Sequence, residues 1–185
     1  DKYAVKVFLL SLNPPKIKEQ NIVALSKEER FLLYIIKTQL SEKTYELVAK
    51  RFKNSDWDNP VIYRTIIEIL SKPSNISFVN IEFLARVFRL LCVPSRYTLR
   101  TEVVDQLVED ITTGLEENDL QQSRIRLSQG VYFIHVINLR IIEEEYLFPI
   151  LYKIVCFGHQ GYNPEREKTC EIDRPDDHFR IRLIC

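Results

Sequence analysis

The chain has 185 residues, of which 45% are hydrophobic, and its 26 Lys and Arg cancel its 26 Asp and Glu. This fits one folded core or a short helical array and argues against a dedicated nucleic-acid binder, which is usually strongly basic, while leaving room for a local basic patch. Four Gly are too few for a turn-rich all-β fold, no apolar run approaches a membrane span, and Cys92, Cys156, Cys170 and Cys185 make no disulfide framework, which favours a reducing compartment.

In chain order, residues 1–25 are an extension of uncertain structure. KYAVKVFLLSL suits a helix or a strand, and Pro14-Pro15 ends it. Ser26 with Glu29 forms a capping-box pattern. The helix it opens carries Phe31, Leu32, Tyr34, Ile35, Ile36 and Leu40. A second helix begins near Ser41, carries Tyr45, Leu47, Val48 and Phe52, and breaks at Asn54-Ser55-Asp56. Asp58 or Asn59 caps a third, with Pro60 in its first turn, where a missing N–H costs nothing. It stops at Lys72-Pro73. Trp57 staples the junction between the second and third helices. Asn75 or Ser77 opens a fourth, ended before Pro94. The next spans Arg96 to Asp119, capped by Ser95 or Thr98. Asn118 or Asp119 starts LQQSRIRLSQGVYFIHVINL. A helix from Ile142 to Phe157 follows, kinked or started late by Pro149. Residues 158–175 lack apolar periodicity and read as a long loop. Asp176 or Asp177 then caps HFRIRLIC, which alternates like a strand but has no evident partner strand and is assigned as helix. Helix after helix with short connections implies an all-α fold, an α-solenoid of antiparallel pairs over residues 26–185. The chain stops inside an apolar segment, so this helical-repeat domain reads as truncated at its C-terminal end.

The helix over Arg96 to Asp119 stands apart. At about 100° per residue, Val103, Val104, Leu107, Val108, Ile111 and Leu115 share an arc of about 140°. Glu102, Asp105, Glu109 and Glu116 share about 60° on the far side. From Glu102 through Ser123 there are seven acids and no Lys, Arg or His. An exposed helix face normally mixes signs, because Glu–Lys pairs at i,i+4 support it. A face of carboxylates alone repels itself and suits a basic partner; the plainer reading is a solvated face.

Other constellations are weaker. Cys156, His159, Cys170 and His178 hold zinc-binding residue types, but at loose spacing. His135 lies in an apolar stretch and reads as a core histidine. Glu143-Glu144-Glu145 reads as helix-opening acids that favour the dipole. Arg124 with Arg126, and Arg180 with Arg182, are short basic pairs that suit phosphates. No P-loop, G-x-S-x-G or Rossmann glycine pattern occurs, so the chain reads as no enzyme and as needing no cofactor, metal or small-molecule substrate.

From the acidic helix onward the motif order is VVDQLVEDITTGLEEN, an Arg- and Ser-rich helix, VYFIHVINLRIIEEEYLFPILYKIVCFGH, a polar loop and RPDDHFRIRLIC. This order resembles the third middle-domain repeat of the up-frameshift two family, the scaffolds of nonsense-mediated mRNA decay. That repeat is one of the helical repeats named after the middle domain of translation initiation factor four-gamma. LSKEERFLLYIIKTQLSEKTYELVAKRF and DWDNPVIYRTIIEIL are similar to its first helical pairs. The resemblance covers residues 26–185. It implies a cytoplasmic, non-catalytic scaffold that offers carboxylates to the basic RNA-recognition-like domain of up-frameshift three. By the motif match Asp105, Glu109, Asp110 and Glu116 occupy the partner-contacting positions, and Glu102 joins them on the wheel. Asp110 lies about 100° from Glu109, toward the buried face, so it contacts the partner from the side or supports its own helix. Gln106 and Thr112-Thr113 depart from the family pattern. The alternative is an RNA-binding helical repeat of a translation or mRNA-processing factor, with arginines on the opposite surface holding phosphates.

Overall fold

The computed structural model describes residues 25–93, 97–117, 119–157 and 179–184. The N-terminal extension before Leu25, the long loop and the candidate caps Ser95, Asn118, Asp176 and Asp177 lie outside the described residues. Among the described residues there are eight α-helices and no strands. They are α1 (Lys27–Thr38), α2 (Tyr45–Lys53), α3 (Pro60–Ser71), α4 (Ile81–Leu91), α5 (Tyr97–Glu117), α6 (Ser123–Asn138), α7 (Leu147–Cys156) and α8 (Phe179–Ile184).

Local chemistry sets most of the starts. Ser26 caps α1 with a reciprocal box: its Oγ accepts the Glu29 N–H at 3.2 Å, and Glu29 Oε2 accepts the Ser26 N–H at 2.6 Å. Asn59 Oδ1 accepts the Val61 N–H at 3.0 Å, one residue after Pro60 begins α3. Trp57 donates its indole N–H to the Phe52 carbonyl at 2.9 Å and sits edge-on to Tyr63, which fastens α2 to α3. The fourth helix starts later than its apolar pattern suggests. Two short 3-10 turns, Pro73–Asn75 and Phe78–Asn80, precede it, because Asn and Ser side chains favour turns over helix interiors. Thr98 lies inside α5 and does not cap it. Asp119 Oδ1 accepts the Gln121 N–H at 2.8 Å and opens the 3-10 turn Leu120–Gln122 ahead of α6. Pro149 produces a late start: α7 begins at Leu147, so Pro149 falls in the first turn, where backbone N–H groups have no intrahelical partner. FRIRLI is helical despite its alternation.

The helices stack in two layers. α1, α3 and α5 pack one on the next, and so do α2, α4 and α6. α1–α2, α3–α4 and α5–α6 join the layers. Contact with the helix two positions ahead, as well as with the neighbour, is the pattern of stacked helical pairs. One continuous core runs through the stack from Leu32 and Phe52 through Ile66, Phe88 and Leu107 to Tyr132 and Ile154. At the far end α8 closes on α6 and α7. Phe31, Tyr34 and Leu47, which the periodicity counts with the apolar faces, are exposed. No helix among the described residues is long and apolar enough to cross a membrane.

Candidate protein-docking surface

α5 is built on an i,i+4 row of apolar residues. Leu99, Val103, Leu107, Ile111 and Leu115 are all buried. Four residues make slightly more than one turn, so this row advances about 40° per step and winds about 160° around the helix from Leu99 to Leu115. The winding lets one helix serve two neighbours. α5 packs against α3, where Thr98 and Tyr63 share a 3.4 Å hydroxyl contact, and against α6, where Ile111 meets a cavity that Arg126 also lines.

The acids do not follow this winding. Glu102, Asp105, Glu109 and Glu116 are exposed along one straight stripe. Asp110 is half-buried and accepts a 2.9 Å hydrogen bond from Gln106 Nε2 within its own helix. Among the described residues no Lys, Arg or His forms an ion pair with any of these five carboxylates; the ion pair found there is Arg86–Glu82 at 2.5 Å, within α4. The cation of α5, Arg100, lies 4.7 Å over the Tyr97 ring. The stripe therefore faces solvent with no ion-pair partner among the described residues.

The tertiary structure adds residues that the sequence reading set aside. A cleft of about 740 Å³ opens beside the N-terminal half of α5, lined by Asp105, Arg100, Tyr97, Arg140 and Tyr146 together with Glu143, Glu144 and Glu145. These three glutamates precede α7 rather than opening it: Glu144 and Glu145 lie in the 3-10 turn Glu144–Tyr146 ahead of α7, and all three are exposed and line the same cleft as Asp105. No local signal marks them, because the run is brought beside α5 by the α6–α7 connection.

One arginine of each basic pair is buried. Arg126 is buried, with its guanidinium 4.2 Å over the Phe179 ring. Arg180 is buried and donates to the Phe157 carbonyl. Arg124 is exposed, so the first pair presents one cation to solvent rather than two. His135 is half-buried at the rim of a cavity of about 240 Å³ rather than in the core. Of the four zinc-type residues only Cys156, half-buried at the end of α7, is described; His159, Cys170 and His178 lie outside the described residues. Among the described residues no three His, Cys, Asp or Glu side chains converge as a metal site would require.

No protein-family model matches the chain. Nonsense-mediated mRNA decay protein 2 of Saccharomyces cerevisiae is 31% identical over 99% of this chain and 17% of its own length. Regulator of nonsense transcripts 2 of Homo sapiens is 28% identical over 94% of this chain and 13% of its own length. Regulator of nonsense transcripts UPF2 of Arabidopsis thaliana is 29% identical over 44% of this chain and 6% of its own length. The chain thus spans less than a fifth of the curated relatives it matches.

Proposed function

Since this chain is a homologue of one domain of the UPF2 family of nonsense-mediated mRNA decay proteins, we propose that it is a non-catalytic scaffold domain of the decay machinery. It docks the basic RNA-recognition-like domain of up-frameshift three through α5. Glu102, Asp105, Glu109 and Glu116 form the contact stripe, and Asp110 flanks it. The domain works in the cytoplasm, a reading supported by the resemblance that names this partner. The observation that carries the reading is the unneutralised carboxylate face of a long, well-anchored helix. Burial of Arg126 and Arg180 removes two of the arginines on which the RNA-binding alternative relies.

Glu109→Arg tests it. Glu109 sits mid-stripe, one turn from Asp105, so a partner docked along α5 passes over it. Loss of one member of a desolvated interface pair costs about 2–5 kcal/mol, and reversal adds repulsion. Calorimetry should show binding weakened at least about a hundredfold, roughly 2.7 kcal/mol. Because the side chain faces water, the thermal melt of the same preparation should shift by less than about 0.5 kcal/mol. RNA binding should be unchanged or stronger. Unchanged affinity would make the stripe a solvated face only.

A further inference from the structure

One cation reaches the acidic stripe from outside α5. Lys153 of α7 is exposed, and its Nζ lies 3.0 Å from Thr112 Oγ1. Thr112 in turn donates its hydroxyl proton to the Val108 carbonyl at 2.8 Å, which leaves its oxygen lone pairs for the ammonium. Thr112 follows Glu109 by three residues and precedes Glu116 by four. Helix neighbours at those spacings have Cβ atoms about 5–6 Å apart. The ammonium is therefore held by a neutral hydroxyl whose residue stands on α5 between Glu109 and Glu116 in sequence, without forming an ion pair with either. Two elements far apart in sequence are needed for this.

We propose, on the premise that α5 is the docking helix, that Lys153 is a specificity residue of the surface. It interrupts the negative stripe at one point. The matching partner is a basic protein surface that carries a carboxylate opposite Lys153, with its cations opposite Asp105, Glu109 and Glu116. A uniformly basic partner meets repulsion at that point and binds less well than its charge predicts. Discrimination of this kind rests on a repulsive element as much as on attractive ones. A held ammonium serves the purpose better than a freely swinging one, because its position relative to Glu109 and Glu116 is fixed by Thr112.

The test compares two probes, the basic RNA-recognition-like domain and a decalysine peptide, on the wild-type chain and on Lys153→Glu. Reversal should tighten the peptide about threefold to tenfold, as expected for solvent-screened charges a few ångströms apart. It should not tighten the folded domain, so the preference for the domain over the peptide should fall at least about threefold. Thr112→Val keeps the charge but removes its anchor, and should lower the preference in the same direction by a smaller factor. A preference unchanged by Lys153→Glu, with both probes tightening alike, would overturn the proposal and leave Lys153 a general attenuator of charge. Glu109→Arg run in parallel separates the two failures. If it still abolishes domain binding, only the role of Lys153 is lost; if it does not, the docking helix itself was misplaced.

Discussion

Glu29 and Thr65, thirty-six residues apart in sequence, share a hydrogen bond of 3.2 Å from the Thr65 hydroxyl to Glu29 Oε1. The other Glu29 oxygen closes the capping box of α1. One carboxylate therefore caps the first helix and ties it to α3. These bonds favour the charged form, with the Ser26 backbone N–H the leading cause, and hold the Glu29 carboxyl below its ordinary value despite some desolvation. A folded-state pKa below the unfolded one stabilises the fold at pH values above the ordinary carboxylate range. That contribution is lost as pH falls through the ordinary range toward the depressed value. Urea melts from neutral to acid pH should show wild type more stable than Glu29→Gln at pH 7, with the difference shrinking below about pH 4.3. Ser26→Ala should cost about 1 kcal/mol at pH 7.

Arg140 is a non-glycine residue with φ of 54°, just past the end of α6. Its N–H donates to the Ile137 carbonyl at 2.7 Å, and the Ile141 N–H reaches back to Val136 at 3.1 Å, the paired bonds of a left-handed helix stop. Buried Ile141 supplies the apolar contact that accompanies such a stop. An L side chain in this region costs about 1–2 kcal/mol, and glycine avoids that cost while widening the unfolded ensemble. Arg140→Gly should therefore raise stability by about 0.5–1 kcal/mol, read as a higher denaturant midpoint with an unchanged slope.

Gly130 lies against α8: a Cβ placed there would approach Leu183 Cδ1 to 3.0 Å. Gly130→Val would push Leu183 aside and add crowding on a helix that already buries Phe133 and Val136 nearby. The expected cost is about 1–3 kcal/mol. Hydrogen exchange should accelerate first in residues 179–184, because α8 is short and packs chiefly on α6 and α7.

The docking reading gives Asp105 and Asp110 different weights. Asp105 is exposed and stands on the wall of the cleft, whereas Asp110 is half-buried and engaged by Gln106. Asp105→Asn should weaken the basic partner about tenfold. Asp110→Asn, which keeps an acceptor for Gln106, should weaken it less than about threefold. Equal losses measured by calorimetry would mean that the partner approaches from the Asp110 side.

Burial pushes the Cys92 thiol up to about 11, with Arg100 and Arg89 pulling weakly the other way. The thiolate is the reactive form, so native Cys92 should alkylate at pH 8 at least about a hundredfold more slowly than in the denatured chain. Peptide mapping after timed iodoacetamide treatment reads this directly. A native rate close to the denatured one would show that the end of α4 opens readily.

The helical fold and the starts of α1, α3 and α5 were legible in the sequence because they are local, whereas α2, α4, α6 and α7 begin later than their patterns placed them. A capping box at Ser26 and Glu29 and Pro60 after Asn59 act within one or two turns and appear where the pattern placed them; on α5, Val103, Leu107, Ile111 and Leu115 are buried as the pattern placed them, while Leu99 joins them and Val104 and Val108 are half-buried. The outward stripe of Glu102, Asp105, Glu109 and Glu116 was legible for the same reason, since helix geometry alone fixes which side chains share a face. The start of α4 was misjudged because apolar periodicity does not register two turns of Asn and Ser. Exposure of Phe31, Tyr34 and Leu47 depends on where the next helix lies, which no single helix encodes. Tertiary packing alone decided that Arg126 and Arg180 are buried beside aromatic rings, that Glu143 to Glu145 line the same cleft as Asp105, and that Lys153 reaches Thr112. Each of these joins side chains from separate helices. The sequence sets the charge each residue carries, whereas the stacking of the two layers sets which charges stand together and how much water surrounds them.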